Sequence, residues 1–284
     1  MRILISTDGL PHSEQALHLG AKLAEAARVK LTILTVVKRE SDLPNAKKIL
    51  DMATASLPEG TLEFQTRTRV GNMAEEIVHE ALEGMYNLVV IGMGSGTTLL
   101  QRLLLPTGEW VLEHGPSSVI VVKGQAVLPK RILICDSGVD SSTLCDQFKQ
   151  LFSDLLLEDT HLTVLHVMSQ ISAGPGVSGW QLRADADKLI EAHTPEGEIL
   201  DQDTQVLDEL EQDIEVKVRH GLVVDEIITE ARSGEHDLIV IGEHQNGFWE
   251  RLVLDNLAHQ IVAAADRPVM IIKKQTIKVS PDNP

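Results

Sequence analysis

The stretch VVIGMGSGTTLLQRLLLPTG, residues Val89–Gly108, passes from a short apolar strand through three alternating glycines, Gly92, Gly94 and Gly96, into an apolar helical run and then Pro106-Thr107-Gly108. A glycine lacks a Cβ, so backbone amides can turn toward a bound anion at close range, and a nearby helix start adds partial positive charge. Strand, phosphate cradle and helix is one reading. A plain flexible connection fits the glycines alone equally well, because short glycine motifs recur by chance. What decides the fold is that the strand has a second copy. HDLIVIG (His236–Gly242) repeats YNLVVIG (Tyr86–Gly92), and the matches continue outward.

RILIC (Arg131–Cys135) repeats RILIS (Arg2–Ser6), LTVLHVM (Leu162–Met168) repeats LTILTVV (Leu31–Val37), RHGLVVDEIITEA (Arg219–Ala231) repeats RVGNMAEEIVHEA (Arg69–Ala81), and RPVMIIK (Arg267–Lys273) answers SVIVVK (Ser118–Lys123). Five matches in one order mark a tandem duplication. A period this long means two globular copies, since solenoid repeats span roughly 20–50 residues. Within the first copy, apolar strands at 2–9, 31–37, 87–92 and 118–123 and an alternating strand at 62–69 are interleaved with helical patterns at 13–28, 44–56, 72–83 and around 107–114. Asn72 is the expected cap of the third helix and Pro44 opens the second. Continuously apolar strands alternating with helices predict an α/β fold of two tandem domains, residues 1–124 and 130–275, each an open five-stranded parallel sheet with helices on both faces in the Rossmann-like manner. GQAVLPK (124–130) is the linker. The copies differ most at 169–213, a glycine-rich turn followed by an acidic segment, predicted to be part helix and part surface flap, with a solvated acidic face as the plain reading and a dock for a basic partner as the other.

The chain has 284 residues, 43% hydrophobic and 24% charged, with a net charge of −17. That balance argues against nucleic acid and anionic membrane surfaces as partners. Residues 1–128 hold 12 Lys and Arg against 14 Asp and Glu, so 13 and 28 remain for the rest; a small polyanion is tolerated better by the first half. No apolar run approaches the roughly 20 residues of a membrane span, and the first strand begins at Arg2 without a charged-then-apolar leader. The cytoplasm is the expected compartment. The two cysteines, Cys135 and Cys145, make no disulfide framework and read as buried packing residues. Eleven histidines are scattered without ligand spacing, so no metal site is expected; His244 and His259 bracket the second glycine loop but read as ordinary histidines. Phe248 and Trp249 read as anchors of that loop. No nucleophile elbow, paired nucleophile or P-loop lysine is visible, so no catalytic residue is assigned.

In open parallel sheets, ligands sit outside the carboxyl ends of the strands where strand order reverses. The loop carrying Ser6, Thr7 and Asp8 and the glycine loop after strand four would meet there, an acceptor carboxylate opposite a set of amides. A nucleotide fits such a pocket, with base or ribose at Asp8 and phosphates along 92–108.

On the residues RILISTDGLPHSEQAL, LTILTVV, RVGNMAEEIV and VVIGMGSGTTLLQRLLLPTG, each with its partner in the second copy, the whole chain resembles a tandem universal stress protein. Nucleotide-binding members carry Gly-x-x-Gly, nine residues, then Gly-Ser or Gly-Thr. The resemblance places the base-holding aspartate at Asp8, preceded by Ser6 and Thr7, the strand-two base contact at Val36, the first glycine at Gly92, and the rest of the phosphate loop at Gly94, Gly96, Thr107 and Gly108. It implies a stress-associated regulatory protein that binds ATP or a related adenine nucleotide, with Mg2+ as an admissible companion, that at most hydrolyses it slowly, and whose halves pair through their fifth strands as a pseudo-dimer. A homodimer is a further expectation. The loop departs from the pattern by one extra residue near Met93 and by Pro106 in place of a glycine, which removes an amide. The second copy departs further, with Ser137 at the position of Asp8, Gln245 at a loop glycine, Asp255-Asn256 at Gly-Ser, and Glu243 where it would face phosphate; it is expected to be structural or interaction-related. Two other readings stay open, a nucleotide-free interaction module and an adenylate-using enzyme.

Overall fold

The computed structural model describes residues 1–57, 63–94, 105–124, 127–136, 144–168, 181–243 and 251–273. The first half contains β1 (Ile3–Ser6), α1 (Pro11–Ala26), β2 (Leu31–Val37), α2 (Leu43–Ala55), β3 (Phe64–Val70), α3 (Met73–Glu83), β4 (Leu88–Gly92), α4 (Leu105–His114) and β5 (Ser118–Val122). The second contains β6 (Arg131–Cys135), α5 (Leu144–Phe152), β7 (His161–Met168), α6 (Ala186–Glu191), α7 (Pro195–Asp208), β8 (Asp213–His220), α8 (Val223–Ser233), β9 (Leu238–Gly242), α9 (Arg251–Ala264) and β10 (Val269–Ile272). Each half is a parallel sheet in the order 3-2-1-4-5, and β5 pairs antiparallel with β10, Ile120 opposite Met270, so ten strands form one sheet. The expected fifth-strand pairing is the seam of the molecule.

Alternation along each strand divides the core into two layers. Ile3, Ile5, Val90, Ile120, Val240 and Met270 point to the face covered by α1, α2, α5 and α7. Leu4, Val89, Ile91, Val121, Ile239 and Ile271 point to the face covered by α3, α4, α8 and α9. Strands buried on both faces account for the continuous apolar runs in the sequence. The outer strand β3 is largely exposed and reads as alternating for that reason.

Local signals explain the helix starts. Pro11 and Pro195 occupy the first turns of α1 and α7, and the Asn72 side chain accepts from the Ala74 and Glu75 amides, a cap worth about 1 kcal/mol. The repeated Arg-Gly segments have one structural cause. Arg69 reaches from β3 to Glu80 at 2.7 Å and Glu76 at 3.1 Å, and also bonds Glu83. Arg219 reaches from β8 to Glu230 at 2.6 Å and Glu226 at 3.3 Å. Both ties lock the third strand of a half to the helix that follows it.

In the acidic region, 169–180 lies outside the described residues, and 184–208 carries α6 and α7. α7 is not a uniformly solvated face: Leu200, Asp203 and Leu207 recur at helical spacing and are buried. No helix among the described residues is long and apolar enough to cross a membrane.

Candidate functional site

The site grows out of the turn after β1. The Thr7 amide donates to the Leu34 carbonyl at 2.9 Å and the Thr35 hydroxyl donates to the Thr7 carbonyl at 2.8 Å, so β2 fixes the exit of β1. Gly9 then turns the chain with φ +77, a left-handed conformation that favours glycine. This aims Asp8 at the start of α1. Asp8 Oδ1 accepts from the Leu10 amide at 3.0 Å and the Ser13 hydroxyl at 2.6 Å, while His12 Nε2 stands 3.3 Å from Oδ2. Burial alone pushes this carboxyl up, but the bonds from His12, Ser13 and Leu10, with the charge of His12, outweigh it and hold Asp8 down at about 2. Asp8 is an ionised acceptor at neutral pH.

Gly92 brings the end of β4 against this turn. A Cβ there would lie 2.1 Å from the His12 carbonyl oxygen and 2.8 Å from Ser13 Cα, so only glycine admits the α1 backbone so close. The first glycine of the loop is therefore required by packing, whatever ligand approaches it. Across the opening, Thr107 and Gly108 lie in the first two turns of α4, and the Met93 side chain fills the space beside Gly108, 3.1 Å from where a Cβ would stand. Between these walls is a concavity open to solvent. Ser6, Asp8, His12 and Ser13 make its polar side; Met73 and Ile77 from α3, with Ile91 and Met93, make an apolar shelf; Gly92, Thr107 and Gly108 complete it.

Of the residues expected at the site, Ser6, Asp8, Gly92, Thr107 and Gly108 meet in this concavity. Thr7 is buried with its hydroxyl 3.1 Å from that of Ser13, and Val36, in β2, and Gly94, just beyond β4, are not among its lining. Gly96 lies outside the described residues. His12 was not anticipated. Its signal was present, four residues after Asp8 and next to a helix-opening proline, where i and i+4 side chains share a face. Met73 and Ile77 carried no such signal, because α3 is brought in by tertiary packing.

The second half builds the same corner with other chemistry. His166, in the place of Thr35, sets Nδ1 3.2 Å from the Asp136 carbonyl, which can only accept, so the ring donates. Burial pushes His166 down, in keeping with a neutral ring. The Asp136 carboxylate turns inward and accepts from the Leu144 amide at 2.8 Å, capping α5. Asp136, Cys145 and Asp203 are buried with candidate ligand atoms within 4.8 Å of one another. Burial, followed by the charges of Asp203 and Asp136, drives the Cys145 thiol well up, and burial drives Cys135 up too. Cys145 is buried as expected, whereas Cys135 is half-buried rather than buried, and in both the raised thiol disfavours the reactive thiolate form. Glu243, expected where it would face phosphate, pairs with Lys273 at 3.1 Å. Ser137, His244, Gln245, Phe248 and Trp249 lie outside the described residues; Asp255 and Asn256 fall within α9.

A doubly wound parallel sheet made twice and joined through its fifth strands, with a polar-and-apolar cleft at the carboxyl ends of the first and fourth strands of the first half, defines a tandem α/β protein. The model described as the universal stress protein family matches residues 1–123 and 129–273, and the chain belongs to that family. Three solved structures share the fold along nearly the whole chain. A universal stress protein from Archaeoglobus fulgidus DSM 4304 is 16% identical, covers 96% of this chain and 96% of its own, and has a TM-score of 0.62. A protein of Pseudomonas aeruginosa UCBPP-PA14 assigned to the same family is 15% identical over 96% of this chain and 93% of its own, with a TM-score of 0.63. A functionally unknown protein of Pseudomonas aeruginosa PAO1 gives 15%, 96%, 92% and 0.60. No curated protein sequence matches the chain significantly.

Proposed function

We propose that this chain is a stress-associated regulatory protein whose first half binds ATP or a related adenine nucleotide, and whose second half is structural or interaction-related. The observation that carries the reading is the ionised Asp8 carboxylate set beside an apolar shelf, in one concavity with Gly92, Thr107 and Gly108. The donor set fits the group. An exocyclic amine needs an acceptor, a flat base needs an apolar surface, and phosphates gain from the Thr107 hydroxyl near the start of α4. In this reading Asp8 accepts from the base, Met73, Ile77 and Ile91 flank it, and Thr107 with Gly108 takes the phosphates; Ser6, Thr7, Val36, Gly94 and Gly96 support that arrangement, and Mg2+ accompanies a triphosphate. The role is binding, with hydrolysis slow if it occurs. Domains over 1–124 and 130–275 divide the labour.

One observation favours a nucleotide-free interaction module instead: Leu10, Ser13 and His12 already engage both Asp8 oxygens. Calorimetry of ATP and of AMP against the full chain and Asp8→Ala separates the two. Binding by the parent, weakened about 10- to 100-fold in the variant, is the expected result for a charge-assisted hydrogen bond. No heat from the parent at millimolar nucleotide would overturn the reading.

A further inference from the structure

The two closing strands end in buried lysines, Lys123 and Lys273, that occupy the same place in the duplicated sequence and are 8% and 5% exposed. Because β5 and β10 run antiparallel, each lysine is carried past the seam to the helix that precedes the partner strand. Lys123 Nζ donates to the carbonyls of Val262, Ala263 and Ala265 at 2.5, 3.0 and 3.1 Å, closing the C-terminal end of α9. Lys273 Nζ donates to the Gly115 carbonyl at 2.8 Å, just past the end of α4, and is held by Glu243 of its own half at 3.1 Å. A cation at a helix C-terminus satisfies carbonyls that have no intrahelical partner and complements the helix dipole.

The clamps are reciprocal, but their consequences differ. α4 has ten residues, so its ends are roughly 15 Å apart. Its N-terminal part carries Thr107 and Gly108 into the concavity, whereas none of the described lining residues belongs to α9. The second half therefore holds the far end of a helix whose near end borders the site. The Lys273 amide adds to the tie, donating to Ser118 Oγ at 3.1 Å. Glu243 fixes the ammonium from the other side, and its counterpart in the first half is Met93, which lines the concavity.

We propose that Lys273 is a positioning residue for the first half's nucleotide site, holding α4 in register across the seam, so that the second half completes a pocket whose described lining lies wholly in the first half. The inference rests on the nucleotide reading for its ligand, and on geometry alone for the coupling. Lys123 supplies the matched control: a buried lysine with the same kind of bond at the same seam, acting on the helix that does not line the site.

The test compares the full chain with Lys273→Met and Lys123→Met by hydrogen exchange of the α4 amides and by calorimetry with ATP. Lys273→Gln, which keeps a donor, is the second variant should Lys273→Met fail to fold, and Lys273→Arg is the rescue. Faster exchange across residues 107–110 and about tenfold weaker nucleotide binding in Lys273→Met, with recovery in Lys273→Arg and neither effect in Lys123→Met, is the expected result. Unchanged α4 exchange in Lys273→Met and Lys273→Gln would overturn the coupling. Equal loss of affinity in both methionine variants would reduce it to general weakening of the seam, and so would overturn it. A parent that binds no nucleotide while exchange still separates the lysines would sink the functional reading and leave the coupling standing.

Discussion

The two halves place a carboxylate at the same corner of the same fold and use it in opposite ways. In the first, Asp8 faces the concavity and is kept ionised; in the second, Asp136 turns into the protein and caps the Leu144 amide. The tie beneath is retained in form, Thr35 to the Thr7 carbonyl in one half and His166 to the Asp136 carbonyl in the other. Duplication here has kept the joints that hold strand to strand and changed the side chains that a ligand would meet. Scaffold and site are separable in this family of folds, and function must be argued from the site.

The first half is most sensitive at the glycine that ends β4. Gly92 admits no Cβ because the His12 carbonyl oxygen would lie 2.1 Å from it. Gly92→Ala is expected to cost about 3 kcal/mol or more and lower the Tm by at least ~6 °C, by thermal unfolding. A Tm within ~2 °C of the parent would show that the His12 backbone leaves room for a Cβ. Next in size, Asp136→Ala leaves a buried amide without its acceptor and is expected to lose about 1–2 kcal/mol in denaturant unfolding, with nucleotide affinity unchanged. Asp8→Ala should weaken nucleotide binding, which Asp136→Ala leaves unchanged.

The smaller effects lie in pH. The Asp8 carboxyl falls from 3.8 to about 2 on folding, so its contribution to stability is complete above about pH 4 and is lost as pH drops toward 2. Acid unfolding of Asp8→Asn should show a shallower loss across that window than the parent. His166 is shifted the other way in consequence: burial lowers it from 6.5, so the unfolded chain takes up the proton first and stability falls as pH drops below about 6.5. His166→Thr, which restores the first half's residue, should flatten the stability profile between pH 7 and 5. A profile identical to the parent's would show that His166 does not resist protonation.

Much of the fold was legible because two signals agreed. Strands buried on both faces leave unbroken apolar runs, and the duplication repeats their order, so that even the fifth-strand seam followed from the resemblance, though not its antiparallel sense. The acidic segment was harder to read. Its many carboxylates suggested a solvated face and concealed Leu200, Asp203 and Leu207, which lie at helical spacing on the buried side of α7. At the site, Asp8 and Gly92 were legible from position, but the reason for Gly92 was not. A glycine in a loop does not say whether a ligand or a neighbouring helix needs the room. Met73, Ile77 and Lys273 could not be found from spacing, because each is brought to its place by an element far away in sequence.

In the proposed function, one half of this duplicated protein holds a nucleotide site that the other half lacks. Titration calorimetry of ATP into the full chain measures it directly through the stoichiometry. One nucleotide per chain, lost or strongly weakened in Asp8→Ala and untouched in Asp136→Ala, is the expected result. Two nucleotides per chain, or one that survives the change at Asp8 and disappears with the change at Asp136, would contradict it.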